Sequence, residues 1–440
     1  MKPMRNDTYF LKTGGRGKRP GRLCLCAVFT LALLLTGCQA AGTYATGSYQ
    51  QGSSSRKADV VTAADPKNTA AAAGEMRALW VATAWGADFP TKTGAAAQKQ
   101  ELAKLVSDAK AAGFNTLIFQ VRAWSDALYR SAYFPWSAFL TGTQGKDPGY
   151  DPLAYLVAQA HAKGLSVQAW ANPYRIYSST NAAKSTPAGG SPALDARYHT
   201  YTYSYKGITY QVYDPASQNV RDLIVRGVTE LVRNYGVDGV QFDDYFYPTA
   251  PTFDDSASYR SYQSGGGAFS LSDWRRQNVN LLIEQTHAAV HAAAKAAGRS
   301  NVVFGVSPAG IWRNVTYTTD DGIAATAGAQ SYEEGCADVK RWVENRWIDY
   351  VCPQLYWGFD SSRAPFAPLC DWWAALCKAH GVKLYIGLSG DVVTSGAGSW
   401  TDAGGLSEIE YARGMGASGF MVFHSAQLPQ LAPVLGKYFQ

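Results

Sequence analysis

The chain is poor in residues that hold metals or build disulfide frameworks, with six histidines and seven cysteines among 440 residues. Three of the cysteines fall before residue 39, which leaves Cys336, Cys352, Cys370 and Cys377 in the body. Cys370 and Cys377 share one expected helix, about 10 Å apart by helical rise, and cannot pair with each other. No spacing has the form of a zinc site, so no metal is expected and the four read as free buried thiols. No Gly-rich dinucleotide fingerprint follows the first strand, and no cofactor motif or solenoid repeat is present. Charge is also scarce, at 17% of residues. The net charge of +6 comes entirely from residues 1–37, where seven Lys and Arg face only Asp7. The remainder is neutral, which removes the electrostatic case for nucleic acid. No protein partner can be inferred.

What the chain does have begins with a leader. The basic start runs into "LCLCAVFTLALLLTGC", an apolar run of about 15 residues, short for a membrane span and laid out like a secretory signal. Leu35-Thr36-Gly37-Cys38 is similar to the bacterial lipobox, which implies a signal peptide over 1–37, cleavage before Cys38, acylation of its thiol and a membrane anchor in the cell envelope. Residues 38–74 are Ala, Ser, Gly, Thr and Gln with few large apolar groups, too little to bury for a fold. They read as a flexible tether with an r.m.s. reach of about 30–35 Å.

From residue 75 to 440, apolar runs alternate with helical patterns. The runs are "MRALWVATAW", "NTLIFQVR", "LSVQAWAN", "VDGVQFDD", "NVVFGVSP", "DYVCPQLYW", "KLYIGLSG" and "SGFMVFHS". Helix signals lie between them. One opens at Asp151-Pro152 and closes at Gly164, another opens at Asp214 with Pro215 in its first turn and closes at Gly236, and a third runs from Ser272 to Gly298. Eight such alternations predict an α/β fold, a (β/α)8 TIM barrel. An open doubly wound sheet is the alternative. Three long strand-to-helix connections, about 174–213, 245–271 and 308–334, would build the C-terminal face. "HTYTYSYKGITYQVY" within the first predicts a hairpin around Lys206-Gly207.

Polar side chains collect at the strand ends. In "VQFDD", Val240 and Phe242 share one face and Gln241 and Asp243 the other, since successive strand side chains alternate. The same parity gathers Gln120 and Arg122, Trp170 and Asn172, Ser307, Gln354 and Tyr356, and His424. Arg175, Tyr245 and Trp357 follow close behind. If the barrel closes, these groups converge at its mouth, and the aromatics among them suit stacking on sugar rings.

At these residues a family resemblance enters. "RALWVATAWGADFP", "NTLIFQVRAWSDALYRS", "AWANPYR", "VDGVQFDDYFYP", "SPAGIWRN" and "DYVCPQLYWG" resemble the glycosyl-hydrolase-like family-ten group of bacterial envelope lipoproteins, over about residues 75–440. The resemblance implies a (β/α)8 barrel and a glycoside hydrolase acting on a glycan polymer of the envelope, with peptidoglycan strands the best-supported class. "DGVQFDDY" is also similar, more weakly, to the D-G-x-D-x-D-x-E motif of chitinase-like barrels. Here Gln241 replaces the first inward acid and Tyr245 the terminal Glu, while the Asp243 position is kept.

Glycoside hydrolysis usually takes two carboxyls flanking one bond. Asp243 and Asp244 point in opposite directions, so Asp243 is expected to be the catalytic or transition-state-stabilising acid and Asp244 to position Arg122, Arg175 or a loop. Asp126 is the first candidate for the partner, with Asp360 and Asp391 behind it. Assistance from a substrate N-acetyl group, with Asp243 orienting it and Tyr356 helping, is the other route. Gln120, Arg122, Trp170, Asn172, Arg175, Tyr245, Ser307, Gln354, Tyr356, Trp357 and His424 are expected to bind substrate. The competing reading is a glycan-binding envelope lipoprotein without turnover, favoured by the missing Glu. A metal-dependent deacetylase would need a His/Asp spacing that the sequence does not show.

Overall fold

The computed structural model describes residues 74–315, 319, 322–323, 326–390 and 407–438. The leader, Cys38, the tether up to residue 73 and Asp391 lie outside the described residues.

Twelve strands are described: β1 (Met76–Val81), β2 (Thr116–Arg122), β3 (Ser166–Ala171), β4 (Arg175–Ser178), β5 (Thr200–Tyr205), β6 (Ile208–Tyr213), β7 (Gly239–Phe242), β8 (Val303–Val306), β9 (Tyr350–Val351), β10 (Lys383–Leu384), β11 (Ile386–Ser389) and β12 (Gly419–Phe423). Nine of them form a parallel sheet in the order β10-β9-β8-β7-β3-β2-β1-β12-β11. The two terminal strands of that order are consecutive in the chain, separated only by Tyr385. The Tyr385 N–H donates to Val351 O at 2.9 Å, and Gly387 exchanges bonds with the chain after β9. The seventh apolar run is thus one barrel stave in two pieces, and it brings the sheet round on itself. Gly387 is required at this seam, because a Cβ there would lie 2.9 Å from the Pro353 carbonyl and 3.2 Å from the Trp80 ring.

Alternating parity divides the core. Leu79, Val81, Val167, Ala169, Val240, Phe242 and Phe304 face the surrounding helices. Ala78, Trp80, Ile118, Trp170, Tyr350, Tyr385 and Met421 fill the interior. A polar network is buried with them. Trp80 Nε1 donates to Gln241 Oε1 at 2.6 Å, Gln241 Nε2 to Tyr350 Oη at 3.0 Å, and Tyr350 Oη to Gln168 Oε1 at 2.6 Å. Gly305 makes room for it, since a Cβ there would sit inside the Tyr350 ring. Each donor meets an acceptor, which is the condition for polar groups to lie in a barrel core at low cost.

The helices follow their caps. Asp151 accepts from Ala154 N at the start of the helix Pro152–Ala162. Ser270 accepts from Asp273 N at the start of the helix Leu271–Ala296. The helix expected from Asp214 begins later, at Gln218, capped by Ser217. Asp214 instead turns away to accept from His199 Nδ1 at 2.9 Å, Ser258 Oγ at 3.0 Å and the Ala216 N–H at 2.8 Å. It ties together two of the long connections. The first connection carries the antiparallel sheet β4-β6-β5, with its hairpin turning at Lys206 and Gly207, both at positive φ. The second carries the helix Ser256–Ser264. All four body cysteines are buried and free.

Candidate active site

β7 ends at Phe242, and the next residue, Asp243, stands on the interior parity directly above Gln241. It is only 4% exposed, yet its carboxylate is well supplied with donors. Trp170 Nε1 donates to Oδ2 at 2.9 Å, Asn172 Nδ2 to Oδ1 at 3.0 Å, and the Tyr245 N–H to Oδ1 at 3.3 Å. Both of those side chains come from the β3 end, because β3 and β7 pair in register with Trp170 opposite Gln241. Burial pushes the Asp243 carboxyl above its usual range, while the Arg175 charge and the Trp170, Tyr245 and Asn172 donors oppose that push. An acid held this way keeps a proton to higher pH than an exposed aspartate, and its conjugate base is stabilised once the proton leaves.

Asn172 is the hinge between this acid and its cation. Its Oδ1 accepts from the Tyr174 N–H at 3.2 Å and the Arg175 N–H at 2.8 Å, while its amide holds Asp243. The Arg175 guanidinium lies 4.2 Å from the Tyr245 ring centre, 5.2 Å from Trp124 and 5.4 Å from Trp85. Trp85 and Trp124 meet edge to face at 5.2 Å. The result is a half-buried cation among three aromatic faces beside a buried acid. Trp85 and Trp124, which the sequence places among the aromatics at the strand ends, belong to this group.

The other expected residues are spread around it. Arg122 is buried with its guanidinium 4.5 Å from the Phe134 ring centre. Burial lowers its pKa, against the fields of Tyr129, Tyr213, Asp126 and Asp243. Asp126 is fully enclosed. Burial pushes it up to about 6, opposed by Ser137, Gln144, the Ala138 N–H and Arg122. Asp244 is half-buried at the rim. Gln120 Oε1 accepts from the Thr83 and Ala84 N–H groups, both at 2.8 Å, so it fixes the loop that presents Trp85. Gln354 Nε2 donates to the Ser307 carbonyl at 3.1 Å. Tyr356 stacks on Phe423, and Trp357 packs half-buried against the outer core.

His424 is not a lone group. Its Nδ1 lies 2.5 Å from Asp88 Oδ1, and Asp88 Oδ2 accepts from the Ala82 N–H at 2.8 Å. Gln427 closes the arrangement, accepting from the His424 N–H at 2.9 Å and lying 3.2 Å from its Nε2. Sequence reasoning missed Asp88. The signal available was its place in "WGADFP", just after β1, whose neighbour in the barrel is β12.

Comparison with known proteins gives a consistent result. A family model described as "Glycosyl hydrolase-like 10" matches residues 75–400. "Glycosyl hydrolase YngK" of Bacillus subtilis (strain 168) is 41% identical over 325 residues, 71% of this chain and 60% of that protein. "Glycosyl hydrolase DigH" of Escherichia coli (strain K12) is 37% identical over 340 residues, 74% of this chain and 75% of that protein. The chain thus spans less than two thirds of the Bacillus relative. Among solved structures, the PgaB (BpsB) glycoside hydrolase domain from Bordetella bronchiseptica aligns with a TM-score of 0.52 at 12% identity, over 82% of this chain and 99% of that one, which supports the barrel fold.

Proposed function

The chain belongs to the glycosyl hydrolase-like 10 family, and from that premise we propose that it hydrolyses a cell-envelope glycan, the glycan strands of peptidoglycan, at the mouth of its barrel. The observation that carries the reading is Asp243: a buried acid with three donors on its two oxygens and a cation at its side. In this scheme Asp243 gives its proton to the leaving glycosidic oxygen as the substrate's own N-acetyl oxygen closes on the anomeric carbon, and water then opens that cyclic intermediate at the anomeric carbon and returns a proton to Asp243. Arg175 favours the carboxylate that results. Asp126 is enclosed and Asp88 is occupied by His424, so neither offers a free carboxylate to the sugar. An N-acetyl group on the sugar supplies the missing nucleophile, a chemistry that peptidoglycan sugars provide. The leader and Cys38 would hold the enzyme on a membrane in the envelope, with residues 38–74 as its tether.

One observation favours the second reading, a glycan-binding protein without turnover. Tyr245 stands where the chitinase-like motif that this strand end resembles has its terminal Glu, and its ring faces Arg175. The two are separated by incubating the full chain with purified peptidoglycan, with chitin and with a β-glucan, and reading soluble products by mass spectrometry. The proposal predicts new reducing ends from peptidoglycan and none from the β-glucan. Binding to peptidoglycan without any new reducing ends would support the second reading.

A further inference from the structure

At the base of the barrel, opposite the mouth, two histidines and an aspartate converge. The helix Leu271–Ala296 carries His287 and His291 one turn apart, so both rings lie on one face, their centres 4.4 Å apart. Asp349 immediately precedes β9, on the chain 58 residues after His291. His291 Nε2 lies 3.2 and 3.1 Å from the two Asp349 oxygens, and His287 Nε2 lies 3.6 Å from Oδ1. One donor atom from each residue can be chosen so that all three lie within 4.8 Å of one another, and no other such trio of His, Cys, Asp or Glu occurs among the described residues. A zinc ion bound at about 2.0–2.2 Å from each ligand sets neighbouring donors about 3.3 Å apart in a tetrahedron. The two His–Asp separations already bracket that spacing.

The surroundings fit a held ion. Asp349 is fixed by the Phe304 N–H, which donates to Oδ2 at 2.7 Å. The nearby Arg299 is drawn off by the carbonyls of Val232, Tyr235 and Val237. His291 also borders an open depression with Lys295 and Arg299 on its rim, so ions and water reach the ring. We propose that His287, His291 and Asp349 bind one divalent transition-metal ion, zinc by ligand type, with water completing its shell. The ion clasps the longest described helix to the foot of β9. It lies on the face of the barrel where residues serve stability, far from the mouth chemistry.

The test uses the full chain, purified without a histidine tag and stripped with chelator. Calorimetric titration with zinc chloride should show one bound equivalent and a rise in the unfolding temperature. His287→Ala with His291→Ala should abolish both, while His161→Ala, which removes a histidine paired with Asp238 alone, should leave both unchanged. Single His291→Ala should weaken binding by roughly 100-fold or more. Cobalt(II) in the unmutated chain gives a readout independent of any variant: among the six histidines, paramagnetic broadening of the ring protons of His287 and His291 and of no other. No bound equivalent in the unmutated chain, an equivalent retained by the double variant, or cobalt broadening at other histidines would each overturn the assignment.

Discussion

Two polar clusters lie one above the other in the same barrel. Below, Trp80, Gln241, Tyr350 and Gln168 form a neutral chain in which donors meet acceptors at 2.6–3.0 Å. Above, on the same parity of the same strands, Trp170, Asn172 and Tyr245 converge on one carboxylate, with Arg175 beside it. Both clusters are buried, and the difference is charge. The lower one closes on itself and fills space. The upper one holds an acid whose protonation can change, against a cation and aromatic faces at the edge of solvent. Buried polarity alone does not mark a site here; a buried titratable group with an open neighbour does.

The comparison can be broken in order of effect. Asp243→Asn keeps the shape but removes the proton donor, and should lower kcat by about 10²–10⁴-fold in a reducing-end assay with little change in glycan binding. Asp126 comes next, through stability. Its folded pKa of about 6 is raised above the unfolded value, so the folded state holds the extra proton and stability falls as pH rises from about 4 through 6. Asp126→Asn should flatten that slope in thermal unfolding and recover up to about 3 kcal/mol at pH 7, two units at about 1.4 kcal/mol each. Tyr350→Phe removes the donor to Gln168, leaves the Gln241 amide only the Met421 sulfur, and should cost about 1–3 kcal/mol in urea unfolding, with turnover per folded molecule unchanged. Arg175→Lys keeps the charge but loses the planar contact with Tyr245, and should raise KM by a few-fold, equivalent to about 1 kcal/mol.

The fold was largely legible because period-two alternation is a local property. "VQFDD" shows which side chains face inward, and the structure agrees for Val240, Gln241, Phe242 and Asp243. The hairpin at Lys206-Gly207 was legible for the same reason, since its turn residues are adjacent. Features set by distant pairing were not. Asp88 meets His424 across 336 residues, and only the adjacency of β1 and β12 joins them. Asp126 reads as a loop acid, but the segment after β2 folds inward and encloses it. Asp214 has the look of a helix start, and competing partners from two other segments moved that start to Gln218.

The most direct test is to assay Asp243→Asn and Tyr350→Phe side by side on purified peptidoglycan, counting reducing ends per folded molecule. The account predicts Asp243→Asn at least about 100-fold below the unmutated chain and Tyr350→Phe within about threefold of it. Equal loss in both, or full activity in Asp243→Asn, would contradict it.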